Sequence, residues 1–438
     1  MNPTPPAVRL RSPLLVVALC FAVIVLDGYD LMVFGAIVPV LLEYAPWGLE
    51  ASELGIIGSL TTLGMLVGAL LVGMLSDAFG RRRVMLASTI WFSALTLVSA
   101  VAPSPEIFGL SRLLAGLGLG GVMPTAIALT VEYAPNGRKQ LYNALMFVGY
   151  SVGGVIAALL ALAFLEPLGF RWLIAFGAVP ALILVPVLAR HLPESMTYLL
   201  RRGETRRAEH LAGTYGLAPA ATPPAGGSQR TAVLRYLVGQ GRLRPLALFS
   251  IASFAGLLLV YGLNTWLPQI MRSAGYPLGS AISFLLVLNL GAVVGSVATA
   301  FVADKLGSRI AVTMAFAAAV ITLVGLSLQP TAWLLYAFVA LAGLGSIGTQ
   351  ILVNGYAAEY FPAWARGTAV GITLGVGRLG AVGAPLMVGL ILDSNLGFEW
   401  NFYSFLLAAA LGLVAVLLIP RARRDVPVGN GEVGVSAT

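Results

Sequence analysis

The chain has 438 residues, 58% of them hydrophobic and 10% charged, with a formal net charge of +8 and a mean hydropathy of +0.92. A soluble domain carries about 25% charged residues, so a soluble globular fold is excluded. The apolar residues form runs of the ~20 that a helix needs to cross a bilayer. Such runs must satisfy their own backbone hydrogen bonds, which leaves an all-α polytopic membrane protein.

Arg9 and Arg11 precede the first apolar run, as in a signal peptide, but that run continues to Leu42 without a small-residue cleavage site. It therefore reads as a retained first span. Its single cysteine, Cys20, excludes a disulfide within the chain. Twelve spans are predicted, at 14–42, 53–75, 84–102, 106–131, 141–165, 171–191, 245–271, 278–303, 310–328, 332–356, 367–392 and 401–420. Both histidines, His191 and His210, fall at or beyond a membrane edge, so no membrane histidine serves as metal ligand or proton relay.

An even span number puts both termini on one face. That face carries every basic residue except Arg112, Arg171, Arg272 and Arg378. The opposite face carries the acids Glu43, Glu50, Glu53, Glu106, Glu166, Asp393 and Glu399. The positive-inside rule makes the basic face cytoplasmic, in a multi-pass inner (plasma) membrane protein. The positive charge is thus a matter of topology, and no nucleic-acid partner is expected. Residues 1–191 form an N-terminal six-helix bundle and 245–438 a C-terminal one with a short cytoplasmic tail. Between them lies a cytoplasmic linker, 192–244, whose first part has the composition of a surface helix.

The halves repeat. A shift of 227 residues superposes Asp77 on Asp304, Gly80 on Gly307, Arg82 on Arg309, Ala115–Gly118 on Ala342–Gly345, and Glu132-Tyr133 on Glu359-Tyr360. Parallel six-helix repeats flanking a midplane site are a transporter architecture.

Four ionisable residues fall well inside spans: Asp27, Asp30, Arg112 and Arg378. Each costs about 2.5–3.5 kcal/mol on insertion scales, so a cavity, a partner or a function is required. Asp27 and Asp30 share a helix face roughly 20–24 Å from the cytoplasmic end and suit proton binding as a coupled pair. Arg112, nearer the outer end of the fourth span, either tunes them or serves structure. Arg378 keeps its proton and presents a planar fork suited to a carboxylate, which makes it a substrate anchor. The repeat places Phe254, Leu257 and Ser151 opposite Asp27, Asp30 and Arg378, so the halves differ where the charges are. Further candidates for the substrate site are Tyr29, Phe34, Asn264, Trp266, Gln269, Asn289, Gln350 and Asn354, with Tyr150 and Tyr261 as added stacking partners.

The loop Gly73–Arg83, with Asp77, Gly80, Arg81 and Arg82, resembles the signature loop of the major facilitator superfamily. Its copy at 300–309 departs from the pattern at Ala300 and Ser308. Arg112–Gly120 resembles the fourth-helix motif of proton-coupled members, and Pro193-Glu194-Ser195 the motif after helix 6. The implied fold is twelve transmembrane helices in two six-helix parallel repeats. A cytoplasmic gate is expected from Asp77, Gly80, Arg81, Arg82, Glu132, Arg138, Asp304, Arg309, Glu359 and Arg366. The segment Asp27-Gly28-Tyr29-Asp30, followed by Leu-Met-Val-Phe, is similar to the first helix of the aromatic acid:H+ symporters, the benzoate and hydroxybenzoate permeases. That resemblance implies two aspartates required for transport, Asp27 and Asp30, and an implicated helix-11 arginine, Arg378. It also implies import of a monocyclic aromatic carboxylate with a proton. The gradient is the energy source, no cofactor or enzymatic step is expected, and the expected state is a monomer in the lipid bilayer. Proton-driven efflux of drugs or metabolites is the competing expectation.

Overall fold

The computed structural model describes residues 12–135, 139–217, 233, 235–237, 239, 242–394 and 396–420. Arg9, Arg11, Arg138, Arg421, Arg423 and Arg424 lie outside them. Twelve helical segments are long and apolar enough to span a bilayer, and no strand occurs among the described residues.

The N-terminal bundle comprises α1 (Pro13–Glu43), α2 (Ala51–Phe79), α3 (Arg81–Ala100), α4 (Pro105–Tyr133), α5 (Lys139–Leu168), α6 (Phe170–Ala178) and α7 (Ala181–His191). The sixth span is the α6–α7 pair, interrupted next to Pro180, whose missing N–H cannot continue a helix ladder. Two short helices follow on the basic face, α8 (Met196–Arg201) and α9 (Thr205–Thr214), where a surface helix was expected. The C-terminal bundle comprises α10 (Leu243–Ser273), α11 (Leu278–Leu306), α12 (Ser308–Ser327), α13 (Ala332–Tyr360), α14 (Ala363–Asp393) and α15 (Glu399–Leu418). Starts are fixed by local chemistry: Ser12 Oγ accepts the Leu14 N–H at 3.3 Å, and Ser104 Oγ accepts from Ile107 ahead of Pro105. Outward-facing apolar side chains such as Leu182 and Leu407, each 74% exposed, form a surface that only lipid would cover.

The repeat is visible in the packing. α1 packs on α5, and α2 on α4; their mates α10 on α14, and α11 on α13, do the same. These contacts need small residues at matching positions. A Cβ on Gly64, Gly116 or Gly153 would collide with the facing backbone, and so would one on their mates Gly291, Gly343 and Gly380. Gly80 (φ 93°) and Gly307 (φ 87°) make the same turn into α3 and α12, in a backbone region that favours glycine.

The halves meet along α1–α10, α2–α14 and α5–α11. At the acidic face, Asp393 at the end of α14 accepts the N–H of Ala51 (3.1 Å) and Ser52 (2.7 Å), so a side chain of one half caps a helix of the other. Arg272 of α10 pairs with Glu43 of α1 nearby. Deeper in, Ser59 donates to the Val382 carbonyl (2.7 Å) and Arg378 Nη1 to the Met65 carbonyl (3.1 Å). All four links lie between the midplane and the acidic face. Among the described residues, these side-chain links between the halves run from the midplane to the acidic side, and no ion pair joins the halves on the basic side.

Helix N-terminal caps of this kind contribute about 1 kcal/mol. Asp393→Ala, which removes both acceptor oxygens, is accordingly expected to shift the population toward acidic-face opening roughly fivefold. Spin-label distances between the acidic-face ends of α2 and α14 measure this; an unchanged distribution would show the cap to be inert.

Candidate transport site

The buried charges do not form one cluster. Asp30, 1% exposed, accepts Arg112 Nη1 on Oδ2 at 2.7 Å and Thr96 Oγ1 on Oδ1 at 2.8 Å, while Arg112 Nη2 donates to its carbonyl at 3.2 Å. Asp30 is thus held by α3 and α4 inside the N-terminal bundle, with the Arg112 guanidinium 5.8 Å from the Phe34 ring centroid. Asp27 is fully buried, and neither carboxyl oxygen has a hydrogen-bond partner among the described residues. Its electrostatic neighbours are Asp30 on its own helix and Arg378 across the bundle interface. The sequence treated the two acids as one coupled pair; the structure gives them different partners. Arg378 makes no ion pair with Asp27 or Asp30 and gives one guanidinium N–H to the Met65 carbonyl.

Tyr150 of α5 and Tyr261 of α10 lie beside each other within electrostatic reach of Asp27 and Arg378. On the acidic side of these residues is a cavity of about 10 Å³, room for about one water molecule. Leu31, Met32, Phe34, Gly58, Thr61, Thr62, Arg112, Tyr150, Tyr261, Asn264 and Thr265 line it. Helices from both halves contribute, so separating the halves enlarges the cavity.

Of the residues expected at the substrate site, Phe34, Asn264, Tyr150 and Tyr261 line this cavity, and Arg378 is not among its lining residues. Asn289 joins indirectly, donating to Asn264 Oδ1 at 3.0 Å. Gln350 bonds Ser253 Oγ (3.0 Å) and Asn354 Oδ1 (3.3 Å), a C-terminal-bundle pair. Three expectations are corrected. Tyr29 packs on Gly177 and donates its hydroxyl to the Leu173 carbonyl at 2.7 Å, facing α6 rather than the interface. Trp266 is fully buried with Nε1 on the Pro385 carbonyl at 2.9 Å, joining α10 to α14. Gln269 lies near the acidic end of α10 in a groove with Glu43 and Arg272. Thr61, Thr62, Thr96 and Thr265 were missed, since threonine in an apolar span gives no signal of which way it faces.

On the basic face, Arg81 pairs with Glu132, which also accepts Ser195 Oγ at 2.9 Å. Glu194 accepts the N–H of Arg82 (3.0 Å) and Ser195 (2.9 Å), and Gly80 leaves the space it occupies. Asp77 pairs with Arg201 of α8, at 3.1 Å. Arg309 donates to the Leu417 carbonyl at 2.9 Å. Among the described residues, Asp304, Glu359 and Arg366 make no ion pair, and none of the pairs on this face joins the two halves. Arg138 lies outside the described residues.

Two repeated six-helix bundles, linked on one side around a small polar cavity with charges at their junction, define a membrane transporter. The family model for the Major Facilitator Superfamily matches residues 20–332 and 314–437. A gentisate transporter of Corynebacterium glutamicum is 37% identical over 408 residues, covering 92% of this chain and 87% of that one. A benzoate transport protein of Acinetobacter baylyi is 33% identical over 424 residues (94% and 90%). A 4-hydroxybenzoate transporter of Pseudomonas aeruginosa is 34% identical over 415 (92% and 91%). The chain belongs to the major facilitator superfamily and, within it, to the aromatic acid transporters. The fold is shared with a D-xylose-proton symporter (TM-score 0.73, 17% identity, 94% and 98% covered). It is shared too with a partially occluded inward-open xylose transporter from E. coli (TM-score 0.72, 18%, 93% and 98%).

Proposed function

We propose that the chain imports a monocyclic aromatic carboxylate together with a proton by alternating access, with its basic face in the cytoplasm of a plasma membrane. The observation that carries this reading is Asp27. A buried carboxylate without a donor is costly as an anion, and it sits beside a cation, Arg378, that reaches across the junction of the halves. A proton taken up by Asp27 removes the buried charge. A substrate carboxylate then takes up the N–H groups of Arg378 that Met65 does not use. Loss of both ligands restores the starting charges, so proton and anion move together. Arg112 and Asp30 hold the frame around Asp27. The basic-face pairs secure α8 and the α2–α3 turn while that side is open. The similarity to carriers of gentisate, benzoate and 4-hydroxybenzoate supports a ring acid as cargo.

In proteoliposomes, uptake of labelled aromatic acids is expected to collapse with a protonophore. Arg378→Ala is expected to raise the KM at least tenfold, and Arg378→Lys to recover only part, because a point charge does not replace the bidentate fork. Protonophore-insensitive accumulation, or full activity in Arg378→Ala, would remove this reading.

A further inference from the structure

A groove of about 450 Å³ opens on the acidic face between the outer ends of α1 and α10, with Pro39 and Glu43 on one wall and Gln269 and Arg272 on the other. Tyr276 and Pro277, in the turn after α10, form its side. The volume falls within the roughly 300–1,000 Å³ that small-molecule sites occupy. An edge-on contact with Phe284, 5.4 Å between centroids, sets the Tyr276 ring in place. Arg272 pairs through Nη2 with Glu43, so an ion pair joins the halves at the mouth of the groove. A guanidinium has five N–H groups, and this pair uses one of them.

The groove lies on the same seam as the central cavity. Both α1 and α10 run from the basic to the acidic face, and the cavity residues Phe34 and Asn264 each lie five positions before the groove residues Pro39 and Gln269. Five residues of helix rise about 7.5 Å. Along that stretch the helices meet backbone to backbone: a Cβ on Gly35 would lie 2.0 Å from the Asn264 carbonyl oxygen. The groove is thus the outer mouth of a path to the cavity, shut by one short neck.

Charge points the same way. The acidic face carries Glu50, Glu53, Glu106, Glu166, Asp393 and Glu399, a field that repels an anion. Of its two arginines, Arg171 is turned onto the protein: it donates to the Ala100 (3.1 Å) and Ala102 (2.8 Å) carbonyls and lies against the Trp47 and Phe170 rings. Arg272, 31% exposed, faces water beside the Tyr276 ring.

We propose that this groove is an outer loading site, in which the carboxylate of an aromatic acid replaces Glu43 on Arg272 while its ring lies against Tyr276 and Pro39. The exchange removes the ion pair at the mouth of the seam, so the arriving anion itself loosens the acidic side. An exposed ion pair is weak, as a latch opened by a solute has to be. This rests on the reading of the chain as an aromatic acid carrier and adds the step before the central site.

The test is uptake of labelled benzoate and 4-hydroxybenzoate into right-side-out membrane vesicles, read as KM and maximal rate at equal amounts of protein. Glu43→Gln frees Arg272 and is expected to lower the KM about threefold. Arg272→Gln removes the partner of the anion and is expected to raise it about threefold, with the maximal rate little changed. Arg272→Lys, which keeps the charge without the fork, should fall between Arg272→Gln and the wild type. A bare latch would move the KM in the same direction in both glutamine variants, since each breaks the same pair. That result overturns the proposal and leaves the carrier intact, and so do unchanged KM values in both. Wild-type vesicles that take up neither acid overturn the carrier reading and this proposal with it.

Discussion

Asp27→Asn is expected to lose gradient-driven accumulation entirely while continuing to exchange substrate across the membrane. The substitution is nearly isosteric, and Asp27 has no hydrogen bond to break, so the packing of α1 on α5 should survive. What disappears is the ability to carry a charge in one state and none in another. If one proton moves with each substrate, an imposed gradient of about two pH units drives roughly hundredfold accumulation in the wild type. In the variant the ratio should fall to that of vesicles without protein, with counterflow of labelled against unlabelled substrate persisting. Asp27→Glu, which keeps a titratable group one methylene away, should recover part of the accumulation. Loss of both accumulation and counterflow, with protein still in the membrane, would make Asp27 a structural residue. Full accumulation in Asp27→Asn would place the proton elsewhere.

Arg112→Ala is expected to damage the fold more than any other single charge removal. Its partner Asp30 is 1% exposed and makes three of its contacts with α3 and α4, two of them to this guanidinium. Removing one member of such a pair leaves an uncompensated charge in the bundle and costs about 3–5 kcal/mol. For a bundle of this size that corresponds to a fall in Tm of roughly 10 °C, measurable by thermal shift in detergent. The double variant Asp30→Asn/Arg112→Met removes both charges and leaves Thr96 able to donate, so it should regain at least half of the loss. A wild-type Tm for Arg112→Ala would show that the pair holds nothing together.

The fold was readable from the chain because its causes are local or repetitive. Apolar runs set the spans, the side on which arginines collect sets the face, and one offset relates Asp77, Gly80 and Ala115 to their mates. The buried charges were readable too, since any ionisable residue inside an apolar run stands out. Their pairing was not. Asp27 and Asp30 are three residues apart and share a face in the sequence, yet the small rotation between them sends one toward Thr96 and Arg112 and the other toward the junction. Tyr29 was misplaced for the same reason: position along a helix is legible, and rotation about it is decided by the neighbours. The place of Thr61 and Thr62 at the cavity, and the cap that Asp393 provides for α2, depend on elements more than 300 residues apart or on facing helices. No local pattern marks them.

The links that close the acidic side share one trait. Asp393 bonds the amides of Ala51 and Ser52, Ser59 bonds the Val382 carbonyl, and Arg378 bonds the Met65 carbonyl. In each, a side chain of one half reads only main chain in the other. The receiving positions are therefore free to drift in sequence without weakening closure, provided their helices stay put. Paired substitutions, the usual trace that contacting residues leave across a family, are expected to be missing from this seam except at Glu43 and Arg272. The side chains of Asp393 and Ser59 can instead be altered alone, which lets the balance between the two open states be retuned one residue at a time, without a compensating change.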